Sequence, residues 1–270
     1  MKWHDARGRR LIETHHGATP AYWDRKWSSA PVAVYDAAAV RPYIATTRRW
    51  LPPQSRLLEG GCGNGGKMAA LLDAGYQVTG IDYAEATVAR LQSARPGWDV
   101  RVGDVFRLDQ PDASYDGYWS FGVIEHFWDG YQGLLAEAGR VLRPGGMLFL
   151  TFPALSPLRR TKAALRLYRP WPVADGTGAA ATAAPADFYQ FMLDPQTVCA
   201  QLRTAGFVPE TPTLIQASHG LKNETPRLWR ALRLAGRVLS VDARTRLEAG
   251  LEQRLAAQLG HLCLLAARKA

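Results

Sequence analysis

A cluster of glycines follows a short apolar segment near residue 60. The segment begins at Arg56, and Gly61, Gly63 and Gly66 come after it with the spacing Gly-x-Gly-x-x-Gly. Glycines between a strand and the N-terminus of a helix let the backbone approach a ligand closely, because no side chain stands in the way. The spacing predicts a nucleotide-like ligand, but by itself it is a weak signal for a dinucleotide.

Three carboxylates accompany these glycines, one at the end of each of the first three predicted strands. Glu59 precedes Gly61 by two residues, a position that suits a cationic group and disfavours a pyrophosphate. Asp82 ends the second strand about twenty residues further on, where an acidic residue suits two ribose hydroxyls. Asp104 follows Gly103 after the third strand and suits the exocyclic amine of adenine. Together they predict a ligand that contains an amino acid, a ribose and an adenine.

Five motifs in the same order resemble those of the class I S-adenosylmethionine-dependent methyltransferases. They are ExGxGxG, GIDY, GD, YDxxxSxxVIEHF and LRPGGMLFLTFP, and they cover most of residues 55–155. The resemblance implies an α/β fold with S-adenosylmethionine as cofactor. It also implies a Rossmann-like, doubly wound, mainly parallel sheet of seven strands, with an antiparallel last strand at 261–267.

The resemblance also implies a set of cofactor-binding residues. The glycines are expected under the methionine portion, with Glu59 near the methionine amine. Asp82 is expected on the ribose, and Asp104 with the neighbouring backbone of Val105 at the adenine. The expected residues are Glu59, Gly61, Gly63, Gly65, Asp82, Tyr83, Asp104, Val105 and Ser120.

Methyl transfer from a sulfonium needs no obligatory catalytic residue, because the donor already carries the activation. A hydroxyl acceptor is helped by a base, and histidine is the usual candidate. His126 follows Glu125 just beyond the fourth strand and is the candidate base, although the pair could instead only brace that loop. The predicted reaction methylates a hydroxyl of a small-molecule, natural-product, glycan or lipid acceptor and releases S-adenosylhomocysteine.

Acceptor contacts are expected from outside the five motifs. Tyr22 and Trp23 resemble part of the cap helix that often closes over the cofactor in this family, although aromatic packing of the cap would explain them equally well. Tyr189 belongs to a segment that resembles the one before the sixth strand in many bacterial small-molecule enzymes. His219 follows a predicted strand, and the pair His15-His16 is a weaker candidate.

Nucleic acid is not expected as an acceptor. Enzymes of this fold that methylate nucleic-acid amino groups carry Asn or Asp, then Pro-Pro and an aromatic residue, after the fourth strand. Here that place reads Ser120-Phe121-Gly122-Val123. The basic run Arg159-Arg160-Thr161-Lys162 could attract a phosphate or carboxylate, or form a solvated helix face.

Strands and helices alternate from residue 54 onward, which predicts parallel β-α-β units with the binding crevice at the carboxyl ends of the strands. Residues 20–50 are predicted to be helical, 171–187 a mobile loop, 207–216 a strand, and 221–258 two amphipathic helices. The predicted organisation is a helical cap at 1–53, a core of 54–153, 188–220 and 259–270, and insertions at 154–187 and 221–258 that form a substrate-pocket lid.

Composition excludes few partners. The 270 residues include 33 Lys and Arg against 24 Asp and Glu, a net charge of +9. That charge suits an acidic substrate, a membrane surface or nucleic acid, but an arginine bias from GC-rich codons would produce it as well. No signal peptide or membrane span is evident, so a cytoplasmic location is predicted, with the oligomeric state undetermined.

Three widely separated cysteines, Cys62, Cys199 and Cys263, predict neither a disulfide framework nor a zinc site, and no metal is expected. Two other classes of protein remain as alternatives. An NAD(P)-dependent oxidoreductase is favoured by the glycine spacing and disfavoured by Glu59 and Asp104. A basic nucleic-acid-binding module is favoured by the arginines alone.

Overall fold

The computed structural model describes residues 1–15, 17–172, 184–235 and 240–270. The strands are, in chain order, β1 (Lys2–Asp5), β2 (Arg10–Thr14), β3 (Arg56–Gly60), β4 (Gln77–Asp82), β5 (Asp99–Val102), β6 (Tyr115–Phe121), β7 (Leu142–Pro153), β8 (Arg169–Pro170), β9 (Phe188–Leu193), β10 (Phe207–Pro209), β11 (Thr213–Ile215) and β12 (Leu262–Lys269). The helices are α1 (Pro20–Ser28), α2 (Ala37–Trp50), α3 (Gly66–Asp73), α4 (Glu85–Ala94), α5 (Gln132–Val141), α6 (Pro157–Ala164), α7 (Pro195–Thr204), α8 (Ala217–Glu224), α9 (Pro226–Ala235) and α10 (Val241–Leu259).

The main sheet has the order β10-β12-β7-β6-β3-β4-β5, and β11 also pairs with β12. β3, β4, β5, β6 and β7 pair in parallel, whereas β12 runs antiparallel to β7. This confirms the predicted Rossmann-like α/β fold with an antiparallel last strand. The strand predicted over 207–216 is divided into β10 and β11, because Pro212 between them has no N–H to donate to the ladder.

Apolar side chains bury both faces of the sheet. Leu57 and Leu58 point to opposite faces of β3, and both are fully buried. Trp119 stacks on Phe121 and Phe149 at ring-centroid distances of 4.1 and 4.6 Å. Its Nε1 donates a hydrogen bond of 3.0 Å to Oγ1 of Thr47 in α2. The helix α2 is thereby held against the sheet whose loops form the site.

A second, four-stranded sheet lies beside the main one, in the order β8-β1-β2-β9. The prediction that 1–53 is a helical cap is wrong for the first fourteen residues, which form a β-hairpin. The helices α1 and α2 follow the hairpin, and their role as a cap stays a prediction. The turn of that hairpin uses Asp5, whose Oδ1 accepts a hydrogen bond from N–H of Gly8, and Arg9 with a positive φ. These are turn signals. β9 pairs with this hairpin rather than with the core sheet.

The segments predicted to be insertions contain more helix than the sequence analysis anticipated. Residues 154–172 form α6 and β8, and 217–259 form α8, α9 and α10. Most of the predicted mobile loop at 171–187 lies outside the described residues. The division into cap, core and lid stays a prediction.

Arg159 departs from the expectation of a ligand-binding or solvated basic run. Its side chain is fully buried, and Nε donates to Oε1 of Glu224 at 2.9 Å. Lys2 and Lys162 also contact the Glu224 carboxylate, at 2.6 and 2.7 Å. Burial raises the pKa of Glu224, but the charges of Lys2 and Arg159 and the Lys162 hydrogen bond outweigh it and hold the pKa well below its ordinary value. One buried carboxylate therefore joins β1, α6 and α8.

Replacing Glu224 with Gln is expected to lower the free energy of unfolding by roughly 3–5 kcal/mol, because it leaves the buried Arg159 without a countercharge. Since the folded-state pKa of Glu224 is depressed, its contribution is present above the ordinary pKa of a glutamate and is lost as the pH falls further. Urea unfolding at pH 7 and at pH 3 measures both effects. The control is Glu85→Gln, at an exposed position of α4, and equal unfolding midpoints for the two variants would contradict the assignment.

Candidate active site

A cavity of about 570 Å³ opens at the carboxyl ends of the parallel strands. The loops after β3, β4, β5 and β6 form its floor, and α1, β9 and the start of β12 contribute walls. Ten residues singled out by sequence lie at its surface: Trp23, Glu59, Gly61, Gly63, Asp82, Tyr83, Asp104, Val105, His126 and Tyr189. Tertiary structure thus brings together residues from six separate parts of the chain.

The glycine loop has a backbone that only glycine adopts readily. Gly61, Gly63 and Gly65 have φ of +78°, +51° and +76°. A Cβ on Gly63 would lie 3.0 Å from the ring of Trp27, and one on Gly61 would lie 2.5 Å from Val123. Gly61 and Gly63 line the cavity, whereas Gly65 caps the N-terminus of α3 and does not.

Asp82 holds this loop in place. Oδ2 accepts a hydrogen bond from N–H of Gly63 at 2.8 Å, and Oδ1 accepts one from N–H of Ala84 at 2.9 Å. Burial raises the pKa of Asp82, and these backbone donors partly oppose that effect. The sequence predicts that Asp82 contacts the ribose. The structure adds that its carboxylate connects the end of β4 to the glycine loop through these hydrogen bonds.

Two buried carboxylates face the cavity with an oxygen left unpaired. Oε2 of Glu59 and Oε2 of Glu125 have no hydrogen-bond partner among the described residues. Burial raises the pKa of each carboxyl to about 8, although Lys67 opposes the shift at both and Lys26 at Glu125. Unpartnered buried polar groups are costly. These two oxygens fit a ligand that brings its own ammonium or sulfonium charge, as S-adenosylmethionine does.

The other predicted cofactor residues differ in whether they reach the cavity. Tyr83 is 42% exposed at the rim, and its hydroxyl donates to the carbonyl of Ala18 at 3.3 Å. Asp104 accepts a hydrogen bond from N–H of Phe106, and Val105 is buried at the wall. Ser120 lies inside β6, is fully buried and does not reach the cavity surface. The backbone that follows it, from residue 121 onward, lines the cavity instead.

His126 lies at the cavity wall, where one hydrogen bond holds its ring. It ends a 3-10 turn directly after β6, and its Nδ1 lies 2.6 Å from the backbone oxygen of Tyr189. Burial lowers the pKa of His126 to about 4, with a smaller contribution from Lys26 and partial opposition from the Tyr189 hydrogen bond. A carbonyl can only accept, so Nδ1 carries the hydrogen of the neutral ring. Nε2 is left with a lone pair, as a base requires.

The predicted acceptor residues are only partly at the cavity. Trp23 and Tyr189 line it, and both rings meet the edge of His126 at centroid distances of 4.9 and 5.1 Å. The ring of Tyr22 packs on that of Tyr189 at a centroid distance of 5.7 Å, and Tyr22 does not line the cavity. His219 does not line the cavity, contrary to the prediction. It lies on α8, and its ring centroid is 4.4 Å from that of His261, which does line the cavity.

Of the weaker histidine candidates, His15 is described, and it does not line the cavity. His15 packs on the ring of Tyr189 at a centroid distance of 4.2 Å, behind the cavity wall. His16 lies outside the described residues.

Sequence reasoning missed two lysines of the site, Lys26 and Lys67, which both line the cavity. Nζ of Lys26 lies 4.3 Å from the ring centroid of Trp23 and 5.0 Å from that of Trp27. Burial and the charge of Lys67 lower the pKa of Lys26, against the influence of Glu125. The spacing of Trp23, Lys26 and Trp27 at i, i+3 and i+4 places them on one face of α1, and this was the available signal. Among the described residues, no group of three or more His, Cys, Asp or Glu side chains could hold a metal ion.

Residues 58–150 match the model of a methyltransferase domain. Over 108 residues the chain is 44% identical to a probable S-adenosylmethionine-dependent methyltransferase of Mycolicibacterium smegmatis, a match that covers 39% of this chain and 42% of that protein. The chain carries a class I S-adenosylmethionine-dependent methyltransferase domain. Its cofactor is S-adenosylmethionine, and the unpaired carboxylates and glycine cradle of the cavity fit that molecule.

Two further likenesses extend the comparison. The 27-O-demethylrifamycin SV methyltransferase of Amycolatopsis mediterranei is 35% identical over 147 residues, half of this chain and 49% of that protein. The structure of the Burkholderia thailandensis 1,6-didemethyltoxoflavin-N1-methyltransferase has a TM-score of 0.54 at 20% identity and covers 100% of both chains. The matches to the Mycolicibacterium and Amycolatopsis proteins span less than half of their lengths, and the structural likeness shows the fold alone.

Replacing Gly63 with Ala is expected to weaken S-adenosylmethionine binding to the methyltransferase domain by at least about tenfold, because the strained backbone and the contact with Trp27 must shift. Calorimetric titration measures the affinity. The control is Gly145→Ala, which also has a positive φ, of +73°, but an open surrounding and no place at the cavity. Equal losses of affinity in both variants would contradict this prediction, because the loss would then not depend on the place of Gly63 in the glycine loop.

Proposed function

We propose that the protein transfers the methyl group of S-adenosylmethionine to a hydroxyl of a small acceptor, with His126 as the base. The observation that carries this proposal is that no described residue hydrogen-bonds to Nε2 of His126, a neutral histidine at the wall of the cavity that contains the glycine loop. When bound, the cofactor supplies a methyl group already activated on a sulfonium. The chain has to align the acceptor, exclude water and accept one proton.

In this reaction Nε2 of His126 would accept the proton of the acceptor hydroxyl as the hydroxyl oxygen bonds to the methyl carbon. The bond from that carbon to sulfur would break with its electron pair going to sulfur, which leaves S-adenosylhomocysteine. The hydrogen bond from Nδ1 to the Tyr189 carbonyl keeps the ring orientation constant, and it strengthens when the ring becomes charged. Trp23 and Tyr189 hold the ring edges and shield it from water.

The low pKa of His126 narrows the class of acceptor. A base with a pKa of about 4 is unprotonated at neutral pH but withdraws protons weakly. It is better matched to an acidic hydroxyl, such as a phenol or an enol, than to the alkyl hydroxyl of a sugar. A glycan acceptor is accordingly less favoured than an aromatic small molecule.

The shape of the acceptor end supports the same class. Trp23, Tyr189, Pro153 and Leu262 give it apolar walls, and Gln190 adds an amide. Apolar walls with few polar groups are typical of small-molecule sites. The rifamycin methyltransferase to which this chain is similar is named for a reaction at an oxygen. A cytoplasmic location stays a prediction.

Replacing His126 with Asn is expected to lower the turnover number roughly 100- to 10,000-fold with no change in cofactor affinity, because the amide can still bond the Tyr189 carbonyl but cannot accept a proton. Release of S-adenosylhomocysteine from a panel of phenolic acceptors measures the rate. The control is His4→Asn, in the second sheet. Turnover that survives in His126→Asn would exclude His126 as the base.

The pH dependence provides an independent readout. Because the folded-state pKa of His126 is lowered to about 4, the base is unprotonated across neutral pH, and the rate should stay level between about pH 5.5 and 8. An ordinary histidine would lose activity near pH 6.5. A fall of the rate with a midpoint near that value would contradict the assignment of this buried ring.

Replacing Asp82 with Ala is expected to weaken S-adenosylmethionine binding by about 10- to 100-fold, because the variant loses a carboxylate that holds the loop and faces the ligand. Parallel titration with NADH should show no binding to either protein. The control is Asp109→Ala, an exposed position away from the cavity. Affinity for NADH, or an unchanged affinity for S-adenosylmethionine in Asp82→Ala, would overturn the assigned role of this carboxylate.

A further inference from the structure

The helix α9 stands out by the apolar residues that it leaves on its surface. Its sequence, PRLWRALRLA, contains three arginines and no acidic residue. Leu228 and Leu232 are 50% and 41% exposed, and Leu234 is 59% exposed. A helix that packs into a core buries its leucines, so this one presents an apolar surface that the described chain does not cover.

The exposed residues of α9 form a defined face. Leu228, Ala231 and Leu232 share one side of the helix by their i, i+3 and i+4 spacing, and all three are exposed. Arg227 borders that side, and Arg230 lies on the opposite side of the helix. An apolar face combined with a basic polar face is the pattern of a helix that lies in the interface of a membrane.

A second element carries the same chemistry. After α6 the chain turns at Arg166, with φ of +56°, and leaves Leu165 and Leu167 65% and 63% exposed. Lys162 and Tyr168, on either side of this turn, both donate to the Oε2 atom of the buried carboxylate that ends α8. This carboxylate lies two residues before α9 begins. The turn and α9 therefore adjoin one buried anchor.

We propose that α9 and the turn at 165–167 dock the protein on the surface of a lipid bilayer that contains anionic lipids. The leucines would enter the boundary between headgroups and acyl chains, and the arginines would pair with lipid phosphates. Among the described residues, none of the helices combines the length and the apolar character that crossing a bilayer requires.

Other occupants fit the two elements less well. A second copy of the chain, related by a two-fold axis, would bring α9 against α9 and place six arginines together without an acidic partner on either helix. A nucleic acid would satisfy the arginines but leave the leucines in contact with water. An anionic bilayer satisfies both the charge and the apolar face.

The docking surface connects to the cavity through the buried cluster. The Arg159 guanidinium, which contacts Glu224, also donates to Nδ1 of His261 at 2.8 Å, and His261 lines the cavity. Docking would bring a membrane-dissolved phenol close to the elements that this cluster joins to the cavity wall. This consequence rests on the proposed function, whereas the docking itself does not.

Vesicle flotation tests the proposal with the full chain and without cofactor or acceptor. Vesicles of equal parts phosphatidylglycerol and phosphatidylcholine are expected to carry the protein upward at low salt, and pure phosphatidylcholine vesicles are not. Leu228→Ser with Leu232→Ser, and separately Arg227→Glu with Arg230→Glu, should each lower the bound fraction at least about tenfold.

Matched double variants provide the controls. Val34→Ser with Val208→Ser removes two equally exposed apolar side chains elsewhere, and Arg41→Glu with Arg48→Glu reverses two exposed charges on α2. Both should float like the unaltered protein. S-adenosylmethionine affinity and the thermal midpoint are measured on every variant, so that a lost fold or a failed cofactor site is seen separately from lost docking.

Three results would overturn the proposal. The first is no flotation of the unaltered protein with anionic vesicles. The second is equal flotation of the leucine variant and the unaltered protein. The third is a dimer in light scattering that Leu228→Ser with Leu232→Ser abolishes, because self-association would then account for the apolar face.

Discussion

The parallel pairing of β3 with β4 on one side and β6 on the other is the constraint on which the site depends. Gly60 lies opposite Ile81 of β4 and Ser120 of β6. The three strands therefore end at the same level, and the loops that follow them meet over one cavity. Asp82 accepts a hydrogen bond from the glycine loop and so holds that loop at the end of β4. The pairing of β3 with β4 therefore determines where the loop lies in the cofactor site.

Charge is distributed within the cavity in a way that favours a cationic ligand. Glu59 and Glu125 are buried with an oxygen unpaired, and Lys26 and Lys67 are the cations that influence their pKa values. Such an arrangement costs stability in the free protein, and the cost is offset by the apolar packing of both sheet faces. Because burial raises the pKa of both carboxyl groups to about 8, a ligand that brings a positive charge would stabilise their ionised form and gain affinity from it.

The second sheet matters because it positions His126, the proposed base. β9 pairs with the N-terminal hairpin through β2, and the Tyr189 carbonyl of β9 receives the Nδ1 hydrogen of His126. The rings of Tyr189 and Trp23 both line the cavity, with their centroids 6.4 Å apart. The N-terminal hairpin therefore supports the strand whose carbonyl sets the tautomer of a histidine more than a hundred residues away.

The sequence by itself determined the parts of this protein that are local. Glycine spacing, strand-ending carboxylates and the alternation of strand and helix predicted the fold, the cofactor and the position of the cavity, because they depend on backbone conformation within a few residues. It did not predict the hairpin partner of β9, the burial of Arg159, or the place of His261 in the stead of His219. These depend on which distant segments pair and on how deeply a charge is buried, and both are decided by packing between segments far apart in the chain. The tautomer and the low pKa of His126 belong to the same class, since they arise from a carbonyl and a wall that only the tertiary structure brings together.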